Sequence, residues 1–230
     1  FYTAYTPYQP EINQGLLQAL FEYQSVMAEL YGVDVINASM YDGSTALAEA
    51  VRMALRITKR RKVVVARTLS PLKRKVLETW LQGTGAVLEF VPWREGDGNV
   101  DLENLQKKLD NNVAAVVVET PNVFGIVEYR LNEIAQEVHR IGGLLVVFSN
   151  PLSLGIIKPP GELGADIVVG EGQPLGLGLF YGGSTLGILG TRRDLEFVRQ
   201  LPGKLVGMTK SHHGERGFAL VLQTREQHIR

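Results

Sequence analysis

Small and hydroxyl-bearing residues gather where a helix is predicted to begin, in the segment NASMYDGST at residues 37–45. Asp42, Ser44 and Thr45 lie in its last four positions. The first turn of a helix offers free backbone N–H groups and the positive end of the helix dipole, so this segment could cradle a phosphate. The same residues equally suit an ordinary helix cap and first turn. The sequence leaves both interpretations open.

Two more polar positions follow predicted strands. Asn122 lies in the triplet TPN after residues 113–119, and Asn150 lies in the triplet SNP after residues 144–148. Open parallel sheets bind their ligands at the carboxyl ends of the strands, where these side chains would lie. Asparagine and proline are also common turn residues, so each triplet could instead be a simple turn.

A glutamine stands where a lysine would carry chemistry. The segment ADIVVGEGQPLG at residues 165–176 predicts an apolar strand followed by Gly172 and Gln173. In many pyridoxal-phosphate enzymes of the aspartate-aminotransferase fold, such a strand ends in a His-Lys or Ser-Lys pair, and the lysine forms an imine with the cofactor. An amide cannot form an imine. Lys158, the nearest preceding lysine, comes before two prolines and the strand, and we interpret it as a solvated loop residue.

The first residues form a segment rich in hydroxyl and amide groups. The string YTAYTPYQPE contains Tyr5, Thr6, Tyr8 and Gln9 on a chain that its prolines keep extended. Such an arm could line a binding site or lie across a partner, and it could also pack on its own domain.

Residues 210–216, KSHHGER, could form a substrate or phosphate loop. Their two histidines are adjacent and tend to point apart, so we predict a mobile surface loop instead. The sequence contains no acidic or histidine cluster with metal-ligand spacing, and no dinucleotide or Walker fingerprint.

Composition narrows the classes of function. The 24 basic and 24 acidic residues balance, which favours neither nucleic acid nor an anionic membrane as a partner. The absence of cysteine excludes disulfides, thiolate metal sites and a cysteine nucleophile. No apolar run approaches the roughly 18 residues that a membrane span needs. The 230 residues suffice for one large α/β domain.

The elements that would position these residues alternate regularly. Short apolar runs predict buried parallel strands at residues 62–66, 86–92, 113–119, 144–148 and 166–169. Helical periodicity predicts helices at residues 11–30, 43–55, 71–81, 102–109 and 131–141. This alternation indicates a three-layer αβα fold with a mostly parallel sheet. We expect one more strand within residues 182–190 and a helix at residues 194–201.

Several long strings closely resemble the P-protein family of the glycine cleavage system. They include YTAYTPYQPEINQG, NASMYDGSTALAEA, NPLSLGIIKPPGELGADIVVGEGQPLG and GERGFALVLQTREQHIR. The likeness is to the α-type subunit, glycine dehydrogenase (decarboxylating) subunit 1, and runs from the first residue to the last. It implies an aspartate-aminotransferase-like (type I) pyridoxal-phosphate transferase large domain over residues 1–230, with an arm at residues 1–14. The sequence opens on Phe1 and ends within a predicted helix, so we expect a fragment or a partly ordered chain, with the family's small C-terminal domain missing.

The resemblance also implies an activity and partners. The family's enzyme is a cytoplasmic heterotetramer in which glycine dehydrogenase subunit 2 carries pyridoxal phosphate on a lysine. It decarboxylates glycine, releases CO₂ and transfers the aminomethyl group to the lipoyl group of H-protein. This chain would be a degenerate copy with no covalent cofactor, no metal and no catalytic residue of its own. Through the family's YTPYQ motif, Tyr5, Thr6, Tyr8 and Gln9 would reach the partner's active site.

One position departs from the family pattern. The family often has Asp before PLSLG, where fold relatives pair a carboxylate with the pyridine nitrogen of the cofactor, and this chain has Asn150. An amide cannot stabilise a pyridinium charge as a carboxylate does. We therefore expect a degenerate cofactor pocket. Its predicted residues are Asp42, Ser44, Thr45, Asn122, Asn150 and Gln173.

Two hypotheses from other classes remain to be weighed. The first is a catalytically inert interaction or regulatory protein that kept the transferase fold, and the hydroxyl-rich arm argues against it because a structural relic has no need of one. The second is an autonomous pyridoxal-phosphate enzyme, which would need a lysine directly after the strand at residues 166–169. The sequence has none there.

Overall fold

The computed structural model describes residue 7 and residues 9–222, and all structural statements concern this part of the chain. The strands are β1 (Val35–Ile36), β2 (Lys62–Ala66), β3 (Val87–Val91), β4 (Val113–Glu119), β5 (Leu144–Phe148), β6 (Ile167–Glu171), β7 (Gly187–Thr191), β8 (Leu205–Lys210) and β9 (Arg216–Val221). The α-helices are α1 (Gln14–Tyr31), α2 (Gly43–Thr58), α3 (Pro71–Leu81), α4 (Leu102–Lys108), α5 (Leu131–Arg140) and α6 (Leu195–Gln200). None of these helices is long and apolar enough to cross a membrane.

Seven strands form one mixed sheet in the order β1-β7-β6-β5-β4-β2-β3. The strands from β6 to β3 in this order run parallel to one another. At the other edge, β7 is antiparallel to β6 and β1 is antiparallel to β7. The prediction of an α/β fold with a mostly parallel sheet is therefore confirmed.

Helices cover both faces of the sheet and form two cores. One core joins α1, α4 and α5 to strand residues such as Val64, and the other joins α2, α3 and α6 to alternating residues such as Val63. Because successive side chains of a strand point to opposite faces, a strand covered on both sides must be apolar throughout. All seven residues of β4 are buried. This is why such runs were readable from the sequence.

Several elements differ from the predictions. The strand expected within residues 182–190 begins only at Gly187, and α1 begins at Gln14 after a short 3₁₀ turn. The predicted surface loop at residues 210–216 closes a hairpin in which Lys210 pairs with Arg216 and the residues between them are exposed, and its mobility stays a prediction. Strand β1 is only two residues long and carries no periodicity. The predicted helix at the end of the sequence lies outside the described residues.

The hairpin of β8 and β9 packs on α1, apart from the main sheet. Leu17, Val206 and Phe218 form a small core of their own. The buried side chain of Gln24 donates to the carbonyl of Val206 at 3.0 Å and accepts from its N–H at 3.0 Å. Polar and exposed residues in both strands hide this hairpin from a search for apolar runs.

A charged cluster joins α5 to the strands at the amino-terminal end of β6. Nε2 of His139 lies 2.8 Å from Oδ2 of Asp166, and Nη1 of Arg192 lies 3.1 Å from Oδ1 of the same carboxylate. The backbone N–H of Leu145 donates to Oδ2 as well. Asp166 is almost fully buried. Its hydrogen bond raises the pKa of His139 above the ordinary value.

His139→Gln is expected to lower stability only in acid. A raised histidine pKa means that the stabilising contribution is complete below the ordinary pKa of about 6.5 and is lost as pH rises through the raised value. The loss should stay below about 1 kcal/mol because the imidazole is partly exposed to solvent. Urea unfolding of both proteins at a series of pH values checks this, and a difference that grows with pH would contradict it.

Candidate functional site

A cavity of about 560 Å³ lies at the carboxyl ends of the parallel strands. It is bordered by the start of α2, by the ends of β4, β5 and β6, and by the first turn of α3. The predicted residues on its wall are Asp42, Ser44, Asn122 and Asn150. The structure thus brings together four of the six predicted pocket residues.

Asp42 and Thr45 form a capping box at the start of α2. A carboxylate oxygen of Asp42 accepts from the backbone N–H and from the hydroxyl of Thr45, both at 2.7 Å. The cap interpretation of these two residues is therefore correct, and Thr45 does not line the cavity. Ser44 lies between them on the cavity wall.

Glu171, at the end of β6, holds backbone groups of three segments. Its Oε2 accepts from the N–H of Gly43 at 2.9 Å. Its Oε1 accepts from the N–H groups of Gln173 and Leu186, each at 2.9 Å. The sequence analysis missed this residue, although a charge directly after an apolar strand was a signal that could have revealed it.

The charge on Glu171 also affects Tyr31, which is buried, and Tyr23, which is partly buried. Burial, and then the charge of Glu171, raise the pKa of Tyr23 to about 12. Burial raises the pKa of Tyr31 further above its ordinary value. Both phenols are neutral near pH 7, so neither carries a charge that balances the carboxylate of Glu171. Its negative charge is stabilised by the backbone N–H groups that donate to it.

The cavity contains a lysine that the sequence analysis did not assign to it. Nζ of Lys73, on α3, lies 2.6 Å from Oε1 of Glu119 and 4.2 Å from the centre of the Phe148 ring. The N–H of Ser70 donates to the other oxygen of Glu119 at 2.7 Å. The amine of Lys73 is thus engaged by the carboxylate of Glu119 and lies over the ring of Phe148. Lys158, as predicted, lies on the surface.

Gln173 turns away from the cavity. Its Nε2 donates to the carbonyl of Leu177 at 2.7 Å, which closes the 3₁₀ turn after β6. The next residue, Pro174, lies on the cavity wall instead. Neither an amide nor a proline can form an imine, so no residue directly after β6 can carry a covalent cofactor.

Asn122 and Asn150 stabilise turns while they line the cavity. Oδ1 of Asn122 accepts from the N–H groups of Phe124 and Ile126, and its Nδ2 donates to the carbonyl of Gly98. Oδ1 of Asn150 accepts from the N–H of Leu152 at 3.0 Å. The turn interpretation therefore accounts for the hydrogen bonds of both amides.

The predicted arm is described only at its end. Tyr5, Thr6 and Tyr8 lie outside the described residues. Gln9 is exposed, and its carbonyl accepts from the N–H of Ile12 and from Nδ2 of Asn13. Over residues 9–222, no group of acidic or histidine side chains could hold a metal ion.

An exposed apolar surface includes large side chains just before α2 and in the loop between β6 and β7. We call it the apolar rim and define it as Tyr41, Leu179, Phe180 and Tyr181, each of which is at least 74% exposed. The hydroxyl of Thr185, which lies on the cavity wall, donates to the carbonyl of Tyr41. Large apolar side chains clustered beside a cavity are typical of a protein–protein interface.

The residues present do not fit pyridoxal phosphate, the cofactor that the resemblance implies. The first N–H of α2 is bonded to Glu171, where the phosphate would need a donor. The lysine in the cavity is bonded to Glu119. Asn150 offers an amide in place of the carboxylate that would pair with the pyridine nitrogen.

Comparisons with known proteins agree on one family. The model of the family described as glycine cleavage system P-protein matches residues 1–230. The chain is 54% identical over 231 residues to a probable glycine dehydrogenase (decarboxylating) subunit 1 of Staphylothermus marinus, covering all of this chain and 49% of that protein. It is also 54% identical to the similarly named protein of Desulfitobacterium hafniense, covering 50% of it. The chain thus spans about half the length of these curated relatives.

Solved structures give the same picture. A crystal structure of glycine decarboxylase (P-protein) of the glycine cleavage system, in inhibitor-bound form, matches with a TM-score of 0.89 and 49% identity over 97% of this chain and 49% of that one. A sphingosine-1-phosphate lyase of Burkholderia pseudomallei matches with a TM-score of 0.57 and 14% identity over 91% of this chain and 49% of that one. The second match concerns the fold alone.

Proposed function

Because the chain belongs to the glycine cleavage system P-protein family, we propose that it is the large domain of subunit 1 of a two-subunit glycine decarboxylase. The complete enzyme decarboxylates glycine, releases CO₂ and transfers the aminomethyl group to the lipoyl group of H-protein in the cytoplasm. The 54% identity, over the whole of this chain and about half of each relative, to proteins named as this subunit carries the proposal.

Pyridoxal phosphate belongs to the partner subunit in this proposal. The support is the pocket of this chain, where Lys73 is paired with Glu119 and the residues after β6 cannot form an imine. When bound to the partner's lysine, the cofactor supplies the electron sink for loss of CO₂. This chain contributes binding and assembly, and we assign no bond-breaking step to its own residues.

The apolar rim is the surface that we assign to the partner subunit. Its side chains are exposed, and Tyr41 is bonded through its carbonyl to Thr185 of the cavity wall, so a partner that covers Tyr41 would lie close to this edge of the sheet. We propose that the hydroxyl and amide groups of Tyr5, Thr6, Tyr8 and Gln9 hold the glycine carboxylate or the cofactor in the partner's site.

Reconstitution tests the proposed function. We expect the full-length protein alone to show no imine absorption with added pyridoxal phosphate and no exchange of glycine with labelled CO₂. Exchange should appear when the lysine-bearing subunit is added. A borohydride-reducible lysine adduct on the isolated protein would contradict the proposal, and activity of the partner alone would favour the inert alternative.

Within the active complex, Tyr5→Phe and Tyr8→Phe separate a binding role from a structural one. Loss of one hydroxyl hydrogen bond to substrate is expected to lower exchange about 10-fold, corresponding to about 1.4 kcal/mol. The matched control is Tyr129→Phe, since Tyr129 is 64% exposed and bonds to Arg94 and Asp97 away from the cavity. Unchanged exchange in both arm variants would remove these tyrosines from the site.

A further inference from the structure

The start of α2 is the place in this pocket where the phosphate of a ligand would bind, and a carboxylate of the chain already holds it. We propose that Glu171 is an internal anion that replaces the cofactor phosphate and thereby closes the pocket to phosphorylated ligands. The inference concerns the same pocket as the proposed function, and it rests on the geometry of that pocket without requiring the activity.

Backbone N–H groups from two segments donate to the carboxylate of Glu171. An anion at the start of a helix is stabilised by free N–H groups and by the helix dipole, and α2 has 16 residues. The N–H of Gly43, the first residue of α2, donates to Oε2 of Glu171 at 2.9 Å. The N–H groups of Gln173 and Leu186 donate to Oε1. Glu171 therefore engages donors from the helix and from the loop after β6 together, as a bound phosphate would.

Little space is left around Gly43 at the start of α2. A Cβ added at Gly43 would lie 3.0 Å from Cβ of Glu171 and 3.0 Å from the Phe148 ring, closer than nearly all real Cβ contacts. Gly43 is itself buried. The start of α2 is thus packed tightly against the end of β6.

The charges near the start of α2 also oppose a bound phosphate. Asp42 adds a second carboxylate at the same end of α2, where it accepts from Thr45. Among the residues that the structure describes, the one cation on the cavity wall is Lys73, which is paired with Glu119. A phosphate dianion would therefore approach two carboxylates without a free cation to balance it, and like charges at close range oppose its binding.

The experiment asks whether removal of Glu171 opens an anion site. The probe is inorganic phosphate, added to the full-length protein in the absence of the partner subunit, with sodium chloride at matched ionic strength as the reference. The variants are Glu171→Ala and the isosteric Glu171→Gln. The matched control is Glu162→Ala, which removes an exposed carboxylate paired with Lys158 on the surface.

We expect phosphate to leave the unfolding of the wild-type protein and of Glu162→Ala unchanged. Glu171→Ala should be less stable, and phosphate should restore it, since phosphate at ten times its Kd raises the folding equilibrium constant about 11-fold. Should this variant fail to fold, Glu171→Gln keeps the shape of the side chain without its charge, and a smaller phosphate response is expected there.

Two results would overturn the inference. One is a wild-type protein that phosphate stabilises as strongly as it does the variants, because the site would then be open while Glu171 is present. The other is the absence of a phosphate response in both variants. Because the partner is absent from this measurement, its outcome is independent of whether the reconstituted enzyme is active.

Discussion

Gly170→Ala is expected to lower the free energy of unfolding by about 3 kcal/mol, a factor of about 100 in the folding equilibrium. A Cβ at this position of β6 would overlap the hydroxyl oxygen of Tyr31 and would lie 2.8 Å from the carbonyl oxygen of Ser149. Tyr31 is fully buried and donates to that carbonyl at 2.9 Å. Neither neighbour can move without breaking this hydrogen bond, so the strand itself must shift.

Chemical denaturation of the purified variant measures this effect. Gly15→Ala is the matched control, because a Cβ at that helical position meets nothing within 4 Å and should be neutral or stabilising by about 0.5 kcal/mol. The double variant Gly170→Ala with Tyr31→Phe removes the overlapping hydroxyl and should recover about 1 kcal/mol relative to additive losses. An unchanged unfolding midpoint for Gly170→Ala would show that this packing is not tight.

Glu119→Ala is expected to cost about 3 kcal/mol of unfolding free energy, because it leaves a mostly buried ammonium without its partner. The side chains of Glu119 and Lys73 are 8% and 20% exposed, and their N–O distance is 2.6 Å. The N–H of Ser70 at the start of α3 loses its acceptor in the same variant. Both losses act on the wall of the cavity, where α3 meets β4.

The companion variants test the cause of that loss. Glu119→Ala with Lys73→Met removes both charges and should recover most of the lost stability, since a buried pair adds little over apolar residues of similar size. Glu162→Ala breaks an exposed pair with Lys158 and should cost less than about 1 kcal/mol. Equal losses for Glu119→Ala and the double variant, measured by urea unfolding, would contradict the electrostatic explanation.

Much of the fold was predictable from the sequence because burial on two faces demands continuous apolar runs. Strands β2, β4 and β5 and helix α3 begin and end where the sequence predicts. The hairpin of β8 and β9 and the short β1 were not predictable, since their residues are mixed in polarity or too few to show a period. Their partners lie far away in the sequence, in α1 and β7.

The candidate site was predictable only in part. The edge of the sheet followed from its parallel order, so Asp42, Ser44, Asn122 and Asn150 lie on the cavity as expected. The direction in which a side chain points depends on tertiary contacts, which cannot be read from the sequence. The side chain of Gln173 donates to the carbonyl of Leu177 within the same turn, and Pro174 lies on the cavity wall instead. Both positions follow from the short 3₁₀ segment after β6.

The sequence by itself determined the order of the layers and the loss of imine chemistry after β6, because both depend on residue type along the chain. Only the tertiary structure decided what fills the pocket. Lys73 and Glu119 are 46 residues apart, and Gly43 and Glu171 are 128 apart. Hydrogen bonds form according to distances in space, and folding brings these groups together at one edge of the sheet.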